Sequence, residues 1–143
     1  MSSKDADIIK ANLGLLADEG MKGELADMGP TERPDMFQED IVVREAGSLP
    51  YGGDWNGKEG LRLLMDTIGS ITELSPSDIE VFDGGNGYVL SRQTANFTLK
   101  STGATLSVPM VEVYRLVDGK ITEIDVYYKD TKAMVDFFST ASE

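Results

Sequence analysis

Glu112 is the residue in this chain whose surroundings most strongly suggest chemistry. It stands in the segment M-V-E-V-Y, and strand alternation places it on one face with Val108, Met110 and Tyr114. Burial of a carboxylate without a partner costs roughly several kcal/mol. Such an acid therefore faces a cation, solvent, or a cavity that uses a carboxyl group. We predict that Glu112 lines a cavity and is catalytic.

Glu45 is the second candidate catalytic acid. It ends the alternating segment I-V-V-R-E and shares a strand face with Ile41 and Val43, so it points toward the protein interior or the mouth of a cavity. Each acid also has a structural interpretation as half of an ion pair. The candidate cations are Arg92 or Lys58 for Glu45, and Arg92 or Arg115 for Glu112.

The composition excludes several mechanisms and partners. The 143 residues contain no His and no Cys, which excludes imidazole bases, thiol nucleophiles and His- or Cys-based metal sites, so proton transfer would use Asp, Glu, Tyr or Lys. We predict no metal and no cofactor. The net charge of −12 disfavours nucleic acid and anionic membrane surfaces as partners. The first residues contain no apolar run of the kind found in signal peptides, and no stretch of about 18 consecutive residues is apolar enough to span a membrane. We therefore expect a cytoplasmic protein.

The spacing of apolar and turn residues predicts an α+β protein. In chain order the predicted elements are helices at 4–19, 22–28 and 34–37, a strand at 41–45, a loop at 46–57, a helix at 58–71, a turn at 75–77, strands at 79–82 and 88–99, a hairpin at 106–128, and a short helix after a cap at Asp130. Helices followed by long antiparallel strands indicate helices on one side of a curved sheet. The length fits one domain, residues 1–143.

Several further side chains are suited to the wall of a ligand pocket. Aromatic rings with a polar end pack well against flat ligands, and methionine adapts to irregular ones. Ordinary core or loop packing is the alternative for each. The predicted ligand-binding residues are Trp55, Met65, Met110, Tyr114, Val126 and Tyr128.

Three segments resemble the SnoaL-like polyketide cyclase family: P-Y-G-G-D-W-N-G-K-E-G at 50–60, V-P-M-V-E-V-Y-R-L-V-D-G-K-I-T-E-I at 108–124, and Y-Y-K-D-T at 127–131. That family belongs to the nuclear-transport-factor-like superfamily, which also contains ketosteroid isomerase and limonene epoxide hydrolase. The resemblance implies a cone-shaped, cystatin-like α+β fold, a curved antiparallel sheet wrapped around N-terminal helices, and a homodimer formed through the outer sheet face.

The resemblance also implies roles for the two glutamates. In ketosteroid isomerase one carboxylate is the general base and a protonated Asp donates to the enolate oxygen. Glu45 and Glu112 fall at these two positions, whereas Leu13 lies near the position of that enzyme's oxyanion tyrosine. The epoxide hydrolase pattern is missing, since Val126 occupies the position of its second Asp. Two functions remain open: a cofactor-free isomerase or cyclase of a small hydrophobic carbonyl compound, and a non-catalytic module that binds a small hydrophobic metabolite.

Overall fold

The computed structural model describes residues 4–13 and 36–142. Helix α1 (Lys4–Asn12) confirms the beginning of the predicted first helix. Its predicted continuation to residue 19, the predicted helix at 22–28 and the first half of the predicted turn at 34–37 lie outside the described residues. Phe37 already belongs to the first strand rather than to a helical turn.

The described elements form an α+β structure around a six-stranded sheet, which confirms the predicted fold class. The strand order is β2-β1-β6-β5-β4-β3, with β1 and β6 parallel and the other neighbours antiparallel. After α1, the elements are β1 (Phe37–Glu45), β2 (Gly53–Asn56), α2 (Gly57–Ile71), β3 (Thr72–Gly85), β4 (Tyr88–Leu99), β5 (Thr105–Val117), β6 (Lys120–Tyr128), α3 (Thr131–Ser139) and a short 3-10 helix (Thr140–Ser142).

Two tight turns set the register of the long strands. Asn86 and Gly87 connect β3 to β4 with φ values of 56° and 84°, and Asp118 and Gly119 connect β5 to β6 with 52° and 78°. Two successive positive φ values define the turn whose twist matches that of the flanking strands, and Asn, Asp and Gly adopt them most readily. The Asp118–Gly119 turn sets the pairing at the end of the β5–β6 hairpin, and an irregularity between Arg115 and Leu116 shifts it by one residue before it reaches Glu112.

Two predicted irregular segments are strands. Within the loop predicted at 46–57, Gly53–Asn56 forms β2 and pairs with β1. The turn predicted at 75–77 is part of β3, which runs through Pro76 and is irregular between Ser77 and Glu80 and again between Asp83 and Gly85. Both strands are at the edges of the sheet. An edge strand tolerates proline because the missing N–H can face away from the neighbouring strand.

The helices cover the inner, concave face of the sheet. Helix α1 packs against β3 and β4, and α2 packs against β1, β2 and β3. Helix α2 buries Leu61, Leu64 and Ile68 at the spacing expected for one helical face. Helix α3 is capped by the Asp130 carboxylate, which accepts a hydrogen bond from the backbone N–H of Ala133. The polar residues of the candidate site lie within this otherwise apolar interior.

Candidate active site

The two predicted acids lie in one row across the concave face. Cross-strand pairing places Ser91 opposite Glu112 and Glu112 opposite Val126. The parallel pairing of Arg44 with Asp125 places Glu45 beside Val126, one residue further along both strands. Two strand spacings separate the acids, which puts their Cα atoms roughly 10 Å apart.

Three neutral side chains donate hydrogen bonds to one oxygen of Glu112. The Tyr114 hydroxyl lies 2.6 Å from Glu112 Oε1, the Gln93 amide nitrogen 2.8 Å, and the Ser91 hydroxyl 3.4 Å. Gln93 also donates to Ser91 Oγ at 3.3 Å. Tyr114 follows Glu112 by two positions on β5, and the other two donors come from the neighbouring strand β4. Within the described residues all of these donors meet at Oε1, and Oε2 receives none of them.

Burial raises the pKa of Glu112. Loss of hydration disfavours the carboxylate, and this effect exceeds the opposing effect of the hydrogen bonds from Tyr114, Gln93 and Ser91. Burial likewise raises the pKa of Tyr114, which therefore acts as a neutral donor. The arrangement favours a protonated Glu112, with Oε1 as the acceptor and Oε2 as the oxygen that carries the proton.

Glu112 lines a predominantly apolar pocket of about 190 Å³ between the sheet and the helices. Glu112 retains partial solvent accessibility because it forms part of this wall. The predicted ligand residues Met65, Met110 and Tyr114 line the same pocket. The remaining lining residues are Asn12, Leu13, Phe37, Leu61, Leu74, Pro76, Gln93, Ala95 and Ile124.

Glu45 belongs to a separate chain of hydroxyl groups. The Tyr128 hydroxyl donates to Glu45 Oε1 at 3.0 Å, and the Tyr51 and Tyr128 hydroxyl oxygens are also 3.0 Å apart. Since the single Tyr128 proton is directed to Glu45, Tyr51 is the donor in the second hydrogen bond. Tyr51 is completely buried and its ring packs edge-on against Phe138 of α3, at 5.5 Å between ring centroids. The contact with helix α3 thus fixes the position of Tyr51 in this chain of hydroxyl groups.

The pKa of Glu45 is raised to about 8. Burial is the largest cause, the Tyr128 hydrogen bond opposes it, and Glu112 adds a smaller increase when it is itself ionised. Burial also raises the pKa of Tyr51 and of Tyr128, so both phenols stay protonated near neutrality. Glu45 can therefore exchange a proton at a pH close to neutral, the range suited to a general base.

The two acids open into different depressions. Glu45 lines a shallow hollow of about 320 Å³ at the ends of β1 and β6, together with the predicted residues Val126 and Tyr128. Glu112 lines the apolar pocket, and Val126 lies between the two acids in the row. A ligand confined to the apolar pocket meets Glu112 alone, whereas one that extends past Val126 meets both acids.

The cations considered as partners for these acids have other contacts. Arg92 pairs with Glu80 at 2.5 Å, and Lys58 pairs with Glu39 at 3.1 Å. Arg115 stacks on the Tyr88 ring, 4.7 Å from its centroid, and donates to the Tyr88 hydroxyl at 2.8 Å. These contacts support the pocket interpretation of Glu112 over the ion-pair interpretation.

Trp55 has a packing role in the structure. It lies on β2, packs against the core and donates its indole N–H to the Tyr51 carbonyl oxygen at 3.0 Å. Sequence reasoning did not single out Tyr51, Ser91, Gln93 or Asn12. Strand alternation in β4 could have found Ser91 and Gln93, because they occupy the buried face of that strand. Tyr51 precedes β2 in an irregular segment that has no periodic signal.

Among residues 4–13 and 36–142, no cluster of three acidic side chains is arranged to hold a metal ion. The helices in the same part of the chain are too short or too polar to cross a membrane.

Comparison with known proteins identifies the family. The model of the SnoaL-like domain matches residues 23–124, so the chain belongs to the SnoaL-like domain family, as the sequence motifs predict. No curated protein matches the chain.

Solved structures show the same fold. The chain is similar to an NTF2-like protein from Burkholderia xenovorans LB400, with 24% identity, coverage of 95% of this chain and 96% of that one, and a TM-score of 0.73. It is also similar to a putative SnoaL-like polyketide cyclase from Mesorhizobium loti, with 26% identity, coverage of 86% and 97%, and a TM-score of 0.63. A protein with a ketosteroid isomerase-like fold from Catenulispora acidiphila DSM 44928, in complex with trimethylamine, shares 18% identity over 65% of this chain and 69% of that one, with a TM-score of 0.58.

Proposed function

We propose that the protein is a cofactor-free isomerase or cyclase that performs acid/base chemistry on a small hydrophobic carbonyl compound. The observation that carries the proposal is Glu112, a carboxyl group with a raised pKa in the wall of an apolar pocket. A perturbed acid in such a pocket is a typical feature of an active site. Similarity to a putative polyketide cyclase is consistent with this class of substrate.

Each acid has a separate role in the proposed reaction. Glu45, in its ionised form, removes a proton from the carbon next to the substrate carbonyl, and Glu112 donates a hydrogen bond or its proton to the carbonyl oxygen. Full proton transfer from Glu112 gives an enol and a hydrogen bond alone gives an enolate, and in both cases the proton held by Glu45 is then returned to carbon. The raised pKa of Glu112 keeps its proton available, and the pKa of about 8 for Glu45 places its ionisation near the working pH.

Deuterium exchange tests this assignment without knowledge of the natural substrate. The protein is incubated with small hydrophobic ketones in D2O, and proton NMR follows loss of the signal next to the carbonyl. We expect the Glu112→Gln and Glu45→Gln variants to slow the exchange by about 10²- to 10⁴-fold, the usual contribution of a general acid or base. Glu39→Gln is the matched control, because Glu39 is an exposed acid paired with Lys58. A variant that exchanges at the wild-type rate would remove that acid from the mechanism.

A non-catalytic binding module is the second candidate. The separate openings of Glu45 and Glu112 favour it, because a small ligand in the apolar pocket contacts only one acid. Thermal unfolding with hydrophobic ketones and aromatic polyketides distinguishes the two functions, since a ligand at about 100 times its dissociation constant adds about 2.7 kcal/mol of stability. Binding without any exchange would support the module, and absence of both would contradict both candidates.

We further propose that the protein is a cytoplasmic homodimer formed through the outer sheet face. Apolar side chains exposed on β3, β4 and β6 support this surface, including Phe82, Tyr88 and Tyr127, which is 59% exposed. Light scattering after size exclusion should give a dimer mass for the wild type and a monomer mass for Tyr127→Arg. A monomeric wild type would contradict the assembly without affecting the pocket.

A further inference from the structure

Tyr51 and Tyr128 form a hydroxyl chain that has no part in the proposed proton transfers. The Tyr128 hydroxyl donates to Glu45 Oε1 at 3.0 Å, and the Tyr51 hydroxyl donates to Tyr128 at 3.0 Å. Burial keeps both phenols protonated near neutrality, so they act as hydrogen-bond donors. Two hydroxyl groups in series therefore end on one oxygen of the proposed general base.

The carboxyl group of Glu45 needs a contact that holds it in place. Glu45 is the last residue of β1, and pairing with Gly53 of β2 fixes its backbone. Its long side chain lies beside a shallow hollow rather than in a packed core. Within the described residues, its hydrogen-bond donor is the Tyr128 hydroxyl, and Oε2 receives no hydrogen bond. A displacement of about 1 Å at a reacting group can lower a rate roughly 100-fold, so this single contact bears directly on catalysis.

Tyr51 is itself held at both of its ends. Its carbonyl oxygen accepts from the Trp55 indole at 3.0 Å, and its ring packs edge-on against Phe138 at 5.5 Å between ring centroids. Tyr51 is completely buried, so solvent does not reach its hydroxyl group. In the described part of the molecule, the hydroxyl chain thus has no exit for a proton beyond Tyr51. It is suited to holding Glu45 and not to relaying the proton that Glu45 takes up.

We propose that Tyr128 is a positioning residue for the general base, and that Tyr51 acts on the base through Tyr128. Their hydrogen bonds fix Glu45 Oε1 and leave Oε2 as the oxygen that removes the proton. In that step the substrate C–H bond breaks, its electron pair moves toward the carbonyl group, and an O–H bond forms at Oε2. The inference rests on the proposed function of Glu45.

The other charged groups near Glu45 allow this chain to be tested by itself. The titratable residues that share the hollow are Arg44, Asp125 and Tyr127, and Glu112 lies in the same row two strands away. Arg44 is paired with Glu123 at 2.7 Å and with Asp125 at 3.3 Å. A Tyr-to-Phe change in the hydroxyl chain leaves all of these groups in place. A change in the titration of Glu45 then reports the hydroxyl chain.

The pH profile of deuterium exchange into acetophenone tests the proposal in Tyr128→Phe, Tyr51→Phe and the double variant. Phenylalanine keeps each ring, and urea unfolding checks that each variant is folded. Wild-type exchange should rise as Glu45 ionises and level off above about pH 8. Tyr128→Phe should lower that plateau about 10- to 100-fold and move the midpoint up by about one pH unit or more, because a hydrogen bond to the charged form is lost.

Two comparisons separate positioning from other effects. A higher pKa alone makes Glu45 a stronger base and would raise the plateau, whereas a displaced carboxyl group lowers it. Tyr51→Phe should show smaller changes in the same directions, and the double variant should match Tyr128→Phe, because Tyr51 acts through Tyr128. Tyr88→Phe is the matched control, since Tyr88 is an exposed tyrosine on β4 whose hydroxyl accepts from Arg115. It should exchange like the wild type.

The remaining outcomes would overturn the inference in distinguishable ways. An unchanged or higher plateau in Tyr128→Phe would remove its positioning role and leave Glu45 as the base. Additive effects of the two single variants would show that Tyr51 does not act through Tyr128. Absence of exchange in the wild type at every pH would overturn the proposed function and the positioning role together.

Discussion

Replacement of Glu45 by Gln should make the protein more stable, by an amount that grows with pH. The pKa of Glu45 is raised from 4.5 to about 8 by burial. Between these values the native state holds a proton that the unfolded chain has released, so the free energy of unfolding falls as pH rises. The stabilising effect of the bound proton is complete below about pH 4.5 and lost by about pH 8. An amide cannot ionise, and it keeps an oxygen that accepts from Tyr128.

The pKa shift sets the size of the effect. One unit of pKa corresponds to about 1.4 kcal/mol. The interval from 4.5 to about 8 therefore gives an upper bound of about 5 kcal/mol for the advantage of Glu45→Gln at pH 8 and above. At pH 5 the advantage should be below about 1 kcal/mol. The upper value is comparable to the whole stability of a marginal domain, so the difference is large enough to measure.

Urea unfolding of both proteins from pH 5 to pH 9 measures this difference directly. Other titrating groups, including Glu112, are present in both proteins and largely cancel in the comparison. The control Glu39→Gln removes an exposed ion pair with Lys58, which is worth roughly 0–1 kcal/mol, and should show no comparable growth with pH. A Glu45→Gln difference that stays constant from pH 5 to pH 9 would refute the reasoning, because it would mean that Glu45 titrates alike in the native and unfolded states.

Three further predictions concern the pocket. Glu112→Gln should be neutral or stabilising in urea unfolding at pH 7, since the raised pKa makes the carboxylate unfavourable there; clear destabilisation, with Glu112 titrating at or below about 4.3 in the wild type, would indicate a salt-bridged structural acid. Tyr114→Phe should lower stability by about 1 kcal/mol and raise the pKa of Glu112 further, because the hydrogen bond that it removes stabilises the charged form. Carboxyl NMR measures this pKa, and an unchanged value would contradict the prediction. Met110→Trp should abolish ligand-induced thermal shifts by filling the pocket, at a cost of about 1–3 kcal/mol, and a shift that persists would place the ligand elsewhere.

The sequence predicted the strand face of each acid but not the space in front of it. Alternation along β5 placed Glu112 with Met110 and Tyr114, and in the structure these three residues line one pocket. Alternation describes one strand at a time, however, and carries no information about where the layers separate. That Val126 lies between Glu112 and Glu45, and that the acids open into different depressions, depends on the parallel pairing of β1 with β6, a long-range contact that no local pattern encodes.

Edge strand β2 and the first part of edge strand β3 were missed for a different reason. The segment around Pro76 contains the residues typical of a turn, and the segment that forms β2 is rich in glycine, so local propensity favoured irregular structure at both. Each is nevertheless held as a strand by a single long neighbour, β4 in one case and β1 in the other. Pairing with a preformed strand outweighs weak local preferences, because strand propensity depends largely on tertiary context.

The surroundings of Glu112 argue that its burial serves function rather than stability. A structural buried acid is usually paired with a cation, because an opposite charge offsets part of the lost hydration. Within the described residues, the hydrogen-bond donors to Glu112 are the neutral groups of Tyr114, Gln93 and Ser91. They fix the position of Oε1 but do not reverse the increase in pKa. An apolar residue in the same wall would fold at lower cost, and the proposed acid/base role of Glu112 accounts for the presence of an acid there.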